Sequence, residues 1–310
     1  MSRVLQNNCW GVSINMDQAE KLRNIVKSQE AAIKSKAKMI TVTSGKGGVG
    51  KSSVSVNLAV QFRKMGYKVF IFDADFGLAN VEVMFGAIPR YNLSDVIFHG
   101  KQIEEIIVDG PMDIKFVSGG SGISELSNIT LENARFLASK LIKLEDMADI
   151  IIVDTGAGIS EVVMEFVKSS REVILVTTPE PTSITDSYAL LKALSKSPDY
   201  DSKHTTVNVV SNKVDNQAEG KLVYNKLSIV SEKFLNVNLN FLGYIPSDSN
   251  LMKAVMQQKP VSMVYENSKA SFAFKRIAEE LVKEDFSGKG KEKVGISQVF
   301  LNIFRVKSGK

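Results

Sequence analysis

A doubly wound, mostly parallel α/β sheet in one domain is the fold this sequence predicts, and three observations predict it. Short apolar runs rich in Val, Ile and Phe alternate with longer helical patterns across residues 39–283. The runs lack strict in–out alternation, which suits strands covered by helices on both faces. The first run leads directly into a glycine-rich loop and then a helical pattern, the order of a phosphate-binding α/β unit.

The strand signals fall at 39–43, 68–72, 114–117, 149–153, 172–177, 206–211 and 238–245. Helical stretches fall between and after them, at 51–65, 131–147, 183–195, 217–234 and 267–283. Such alternation builds a parallel sheet with crossover helices. Residues 287–294, SGKGKEKV, are rich in Gly and Lys and read as a flexible linker. The expected organisation is a basic N-terminal tail (1–38), a globular α/β domain (39–285), a linker (286–294) and an amphipathic helix (295–310).

Of 310 residues, 44% are apolar and 24% charged, a balance that excludes wholesale disorder and a fibrous repeat. The formal charge of +5 is unevenly spread. Residues 1–38 carry +4 and residues 286–310 carry +5, which leaves −4 on the body between them. A folded face used as a general polyanion binder would show the reverse, so no nucleic acid is expected. Cys9 is the single cysteine, and with His99 and His204 it cannot build a Cys/His metal site in one chain. No signal-peptide pattern and no membrane-spanning apolar run is present, and a cytoplasmic location is expected.

The chemistry-bearing motif is Ser44-Gly45-Lys46-Gly47-Gly48-Val49-Gly50-Lys51-Ser52-Ser53, which fills every fixed position of G-x-x-x-x-G-K-[ST]. Glycines let successive backbone N–H groups curl around a phosphate, and the following helix adds its positive end. Lys51 supplies a point charge to the β/γ-phosphates, and the Ser52 hydroxyl is suited to Mg²⁺.

The second lysine, Lys46, is not required by that motif. The run K-G-G-x-G-K-S resembles the deviant Walker A ATPases of the MinD/ParA type. In that family the early lysine reaches across an ATP-dependent homodimer to the partner's nucleotide, which makes Lys46 and Lys51 the catalytic lysines by resemblance. Asp73-Ala74-Asp75-Phe76-Gly77-Leu78-Ala79-Asn80 resembles the family's first switch, with Asp75 positioning the attacking water and Asp73 supporting the metal shell. Asp154-Thr155-Gly156-Ala157-Gly158 resembles the second switch, and the resemblance implies that Asp154 contacts Mg²⁺ through water. Thr155-Gly156 departs from the D-x-P-A-G usual in MinD and points to a relative. Asn212 stands where the family reads the adenine edge, and Ile245-Pro246-Ser247-Asp248 resembles the I-P-x-D loop that lines the base, which adds Pro246 and Asp248. Asn and Asp at strand ends are also ordinary turn residues. Glu180, in Thr178-Pro179-Glu180-Pro181, is expected to face the dimer partner.

Both tails extend the resemblance. Asp17, Gln18, Ala19, Leu22 and Arg23 form a D-Q-A-x-x-L-R segment similar to the activator segment of the FlhG (YlxH, FleN) family, which stimulates the signal-recognition-type GTPase FlhF. A helix resting on its own domain, or a solvated tail, is the plainer reading. At the other end, Ile296, Val299, Phe300, Ile303, Phe304 and Val306 span an arc of about 160° at helical spacing, with basic flanks suited to an anionic bilayer. The same stripe would also serve to dock on the domain's own core. The resemblance therefore implies a slow ATPase using ATP and Mg²⁺, dimeric when ATP-bound, acting reversibly at the inner membrane face on flagellar number and location. Flagellar switch or regulatory proteins are further candidate partners. MinD-type division control and ParA-type DNA partitioning are the alternatives.

Overall fold

The computed structural model describes residues 37–76, 80–120, 131–198, 200, 202, 205–283 and 295–307. Eight strands form one sheet: β1 (Lys38–Ser44), β2 (Val69–Ala74), β3 (Val108–Asp109), β4 (Lys115–Ser118), β5 (Ile150–Ala157), β6 (Glu172–Thr177), β7 (Thr206–Val214) and β8 (Leu239–Pro246). Their order is β3-β4-β2-β5-β1-β6-β7-β8, parallel throughout except that β3 runs antiparallel to β4. The helices are α1 (Lys51–Lys64), α2 (Asn80–Phe85), α3 (Leu93–Phe98), α4 (Leu131–Met147), α5 (Glu161–Ser169), α6 (Pro181–Ser195), α7 (Gln217–Phe234), α8 (Ser249–Met256), α9 (Val261–Val264), α10 (Lys269–Lys283) and α11 (Ile296–Lys307).

The predicted doubly wound sheet is present, and each strand read from the sequence is found, β6 with the same ends and the others with ends shifted by up to four residues. Consecutive residues of the central strand face opposite layers, the period-2 rule of a strand. Ile150 and Ile152 point to the layer of α1 and α10, whereas Ile151 and Val153 point to that of α4 and α11. Both faces are covered, which explains why the strands read as continuous apolar runs. Connections leaving β1 and β5 run to opposite sides of the sheet, so a crevice opens beyond the carboxyl ends of these strands.

The C-terminal helix takes the second course its stripe allows, docking on the domain's own core. The stripe expected to face a bilayer is turned into the domain: Ile296, Val299, Phe300 and Ile303 are all buried. The Phe304 side chain lies outside those described. Phe300 meets Phe72 of β2 edge-on at 5.4 Å and Phe166 of α5 at 5.8 Å between ring centroids, both within the favourable range for T-shaped pairs. Glu145 of α4, itself buried, accepts hydrogen bonds from the Ser297 backbone N–H (2.9 Å) and hydroxyl (2.8 Å). A carboxylate at the start of a helix satisfies an orphan N–H and complements the dipole. An apolar stripe needs a cover, and here α4, α5 and β2 supply one.

No helix among the described residues is long and apolar enough to cross a membrane. The proposed partner residues Asp17, Gln18, Ala19, Leu22 and Arg23, and the linker at 286–294, lie outside the described residues.

Candidate active site

The carboxyl end of β1 turns into α1 through the glycine-rich loop. Gly50 caps α1 with φ +100°, a left-handed conformation that glycine adopts without penalty. It also leaves room for a neighbour, since a Cβ there would stand 2.4 Å from Asn212 Nδ2. At the loop's other end, a Cβ on Gly45 would stand 2.1 Å from the Asp186 carbonyl carbon in α6, so the loop's entry lies directly against that helix. No side chain caps α1 and no acidic residue occupies its first turn. Its leading N–H groups are therefore left for an anion.

Above this helix end opens a cavity of about 1210 Å³. Gly47, Gly48, Gly50, Lys51, Ser52, Ser53, Asp75, Asn212, Pro246 and Asp248 line it, so ten of the residues read from the sequence converge there. Lys51 is largely buried at its floor. Burial lowers its pKa, against the pull of Asp154 and Asp75. The Ser53 hydroxyl is buried with no partner among the described residues.

The two remaining carboxylates lie behind the cavity wall. Asp154 is fully buried, and its Oδ1 accepts from the Ser55 hydroxyl at 2.9 Å. Its Oδ2 is buried with no partner. Burial raises the Asp154 pKa to about 6, while the Ser52 and Ser55 hydroxyls and the Lys51 ammonium pull it down. An orphaned buried carboxylate oxygen beside Ser52 fits the hard oxygen shell of Mg²⁺, which keeps several waters of its own. Asp73 behaves differently. Its oxygens accept from the backbone N–H of Asp75 (3.0 Å) and of Val81 (3.2 Å), so it organises the loop that carries Asp75 and opens α2. Burial, then the nearby Asp154 charge, raises the Asp73 pKa well above the usual carboxylate range.

Lys46 and Glu180 stand at the rim rather than in the lining. Lys46 Nζ donates to Glu180 Oε2 at 2.7 Å and to the Thr182 hydroxyl at 2.8 Å. Val49 is buried beneath the loop. Asn212, expected at the base, donates from Nδ2 to the Val49 carbonyl and accepts from the Lys213 N–H. Asp248 caps α8 through the Asn250 N–H and also accepts from the Ala270 N–H at the start of α10. Both residues thus have structural work at the positions predicted for base recognition.

A comparison with protein-family models matches residues 35–282 to the ParA model, described as NUBPL iron-transfer P-loop NTPase. The chain belongs to the ParA family of P-loop NTPases. It is 40% identical over 243 residues to the antiactivator FleN of Pseudomonas aeruginosa, covering 78% of this chain and 85% of FleN. It is 34% identical over 275 residues to the flagellum site-determining protein YlxH of Helicobacter pylori, covering 86% of this chain and 91% of YlxH. Its fold is that of septum site-determining protein MinD from Pyrococcus horikoshii, with a TM-score of 0.63, 24% identity, and coverage of 82% of this chain and 100% of that one.

This ParA-family ATPase also has site residues that sequence reasoning missed. Lys213 lines the cavity and donates to the Gly48 carbonyl at 2.9 Å. An apolar wall comes from Val83 and Met84 of α2 and from Leu251, Met252, Val255 and Met256 of α8. The signal for the wall was the helical spacing of apolar residues just after the Ile245-Pro246-Ser247-Asp248 run.

The buried Asp154 gives a pH prediction. Between pH 3.8 and about 6 the folded ATPase binds more of this proton than the unfolded chain does. The contribution of this group is therefore fully present below pH 3.8 and is lost as pH rises through about 6. Asp154→Asn should raise the melting temperature of the nucleotide-free protein, and the gain should be larger at neutral pH than at pH about 4. A gain that is the same at both pH values would contradict the assignment.

Proposed function

We propose that this ATPase is a nucleotide-switched regulator of flagellar number and location. ATP and Mg²⁺ join two copies face to face, and slow hydrolysis separates them. The α1 N–H groups and Lys51 hold the β/γ-phosphates and Asp75 orients the attacking water, while Ser52 and Asp154 would hold Mg²⁺, which would neutralise charge developing on the phosphate oxygens. Such positioning and charge stabilisation is most of what phosphoryl transfer requires of a protein. Similarity to FleN and YlxH over most of all three chains supports the flagellar reading.

The observation that carries the dimer is the placement of Lys46 at the rim, where Glu180 and Thr182 hold it outside its own subunit's cavity. Exposed ion pairs of this kind add little stability. Lys46→Ala should therefore leave the melting temperature unchanged, yet abolish the ATP-dependent dimer in sedimentation velocity. A dimer that survives the substitution would remove Lys46 from the interface.

Membrane association is proposed to follow release of α11. Four buried apolar side chains at about 1.5–3 kcal/mol each make spontaneous undocking rare, and a bilayer would restore most of that burial. Sedimentation with anionic liposomes should accordingly require ATP and residues 295–310. Equal sedimentation with ADP, or after deletion of those residues, would sink the membrane arm. For the GTPase arm, a peptide of residues 1–38 should accelerate FlhF-like GTP turnover, and Gln18→Ala should blunt the effect.

A further inference from the structure

β7 does not adjoin β1, because β6 lies between them. Two consecutive residues at the end of β7 nonetheless reach across to the loop that follows β1. Asn212 Nδ2 donates to the Val49 carbonyl at 2.7 Å, and Lys213 Nζ donates to the Gly48 carbonyl at 2.9 Å.

The reach of Lys213 depends on an irregular backbone. The β7–β8 register shifts between Asn212 and Val214, and Lys213 sits inside the shift at φ +58°. Left-handed backbone is unfavourable for a lysine, whereas an irregularity at a strand end can re-aim a side chain. Strain of this kind persists where the surrounding structure uses it, and it concentrates at functional sites. Here the re-aimed ammonium meets the crest of the phosphate loop.

We propose that Lys213 is a positioning residue for the phosphate loop. In a trans peptide unit the C=O and the following N–H point in opposite directions. Anchoring the Gly48 carbonyl therefore sets the direction of the Val49 N–H, and anchoring the Val49 carbonyl sets that of the Gly50 N–H. The pair from β7 keeps two consecutive carbonyls off the anion and leaves the N–H groups preorganised for it. Without Lys213, the Gly48–Val49 peptide is free to turn its carbonyl toward the phosphates, and nucleotide binding must include the cost of reordering it.

The test measures binding of a fluorescent ADP analogue and melting of the nucleotide-free protein, in the full chain. Lys213→Gly removes both the amine and the left-handed strain. It should weaken binding about tenfold, the loss of one charge-assisted hydrogen bond, while the melting temperature stays the same or rises. Lys213→Arg, which keeps a donor of similar reach, should restore most of the affinity. The weakening should persist in about 0.5 M KCl, where a mere point-charge attraction is screened.

Unchanged affinity in Lys213→Gly would overturn the proposal. So would a weakening that disappears in high salt, which would make Lys213 a simple charge, or one accompanied by a lower melting temperature, which would make it a strut of the fold. Lys51→Met serves as the control for the site itself. If that variant binds like the parent, the phosphate-loop reading fails independently of Lys213.

Discussion

Lys51→Met should lower ATP turnover at least about 10²-fold, the usual effect of removing one preorganised group that meets developing charge. The methionine keeps the apolar stem that packs at the cavity floor, so the loss isolates the ammonium. That ammonium is largely buried, and the surrounding protein holds its pKa below the ordinary lysine value. Asp154 and Asp75 counter this burial, and they keep a positive charge on the side of the cavity where phosphate oxygens gather. Phosphate release and binding of a fluorescent ATP analogue should fall together, with an unchanged circular dichroism spectrum. Turnover within a few-fold of the parent would remove Lys51 from the reaction.

The second large effect belongs to Phe300. Its ring is buried against Phe72 and Phe166, and those two rings also meet each other at 6.1 Å. Phe300→Ala opens a cavity between three secondary-structure elements and should cost about 3–5 kcal/mol in urea unfolding. A cost under about 1 kcal/mol, within the range of a surface substitution, would show that α11 does not depend on this cluster.

The strands were legible because burial on both faces writes itself as runs of Val, Ile and Phe. β3 escaped because its two residues carry no periodicity. α2 and α3 escaped for a similar reason, being six residues each. The glycine loop was legible in full, since its fixed positions answer to local backbone geometry. Asp154 was legible as a carboxylate ending a buried strand, but its burial and orphaned oxygen depend on α1 packing across β5. Asp73 shows the limit more plainly. The same D-x-D pattern is compatible with a metal ligand or a loop organiser, and only the nearby N–H groups of Asp75 and Val81 reveal the second role. Lys213 was hidden altogether, because nothing in its neighbours announces a positive φ. The apolar stripe of α11 is legible as a stripe. Its partner was not readable, because a basic-flanked apolar face describes a protein groove as well as a bilayer.

The docking of α11 also has a consequence for the order of synthesis. Phe72 and Phe166 are made well before the helix that covers them, which follows every other described element in the chain. At 5–20 residues per second, roughly ten seconds pass between the emergence of Phe166 and that of Phe300. Until α11 emerges, the groove that Phe72 and Phe166 line in the folded domain lacks its cover. A chain interrupted before α11 keeps that groove open permanently, as a surface that chaperones and other nascent chains would meet first.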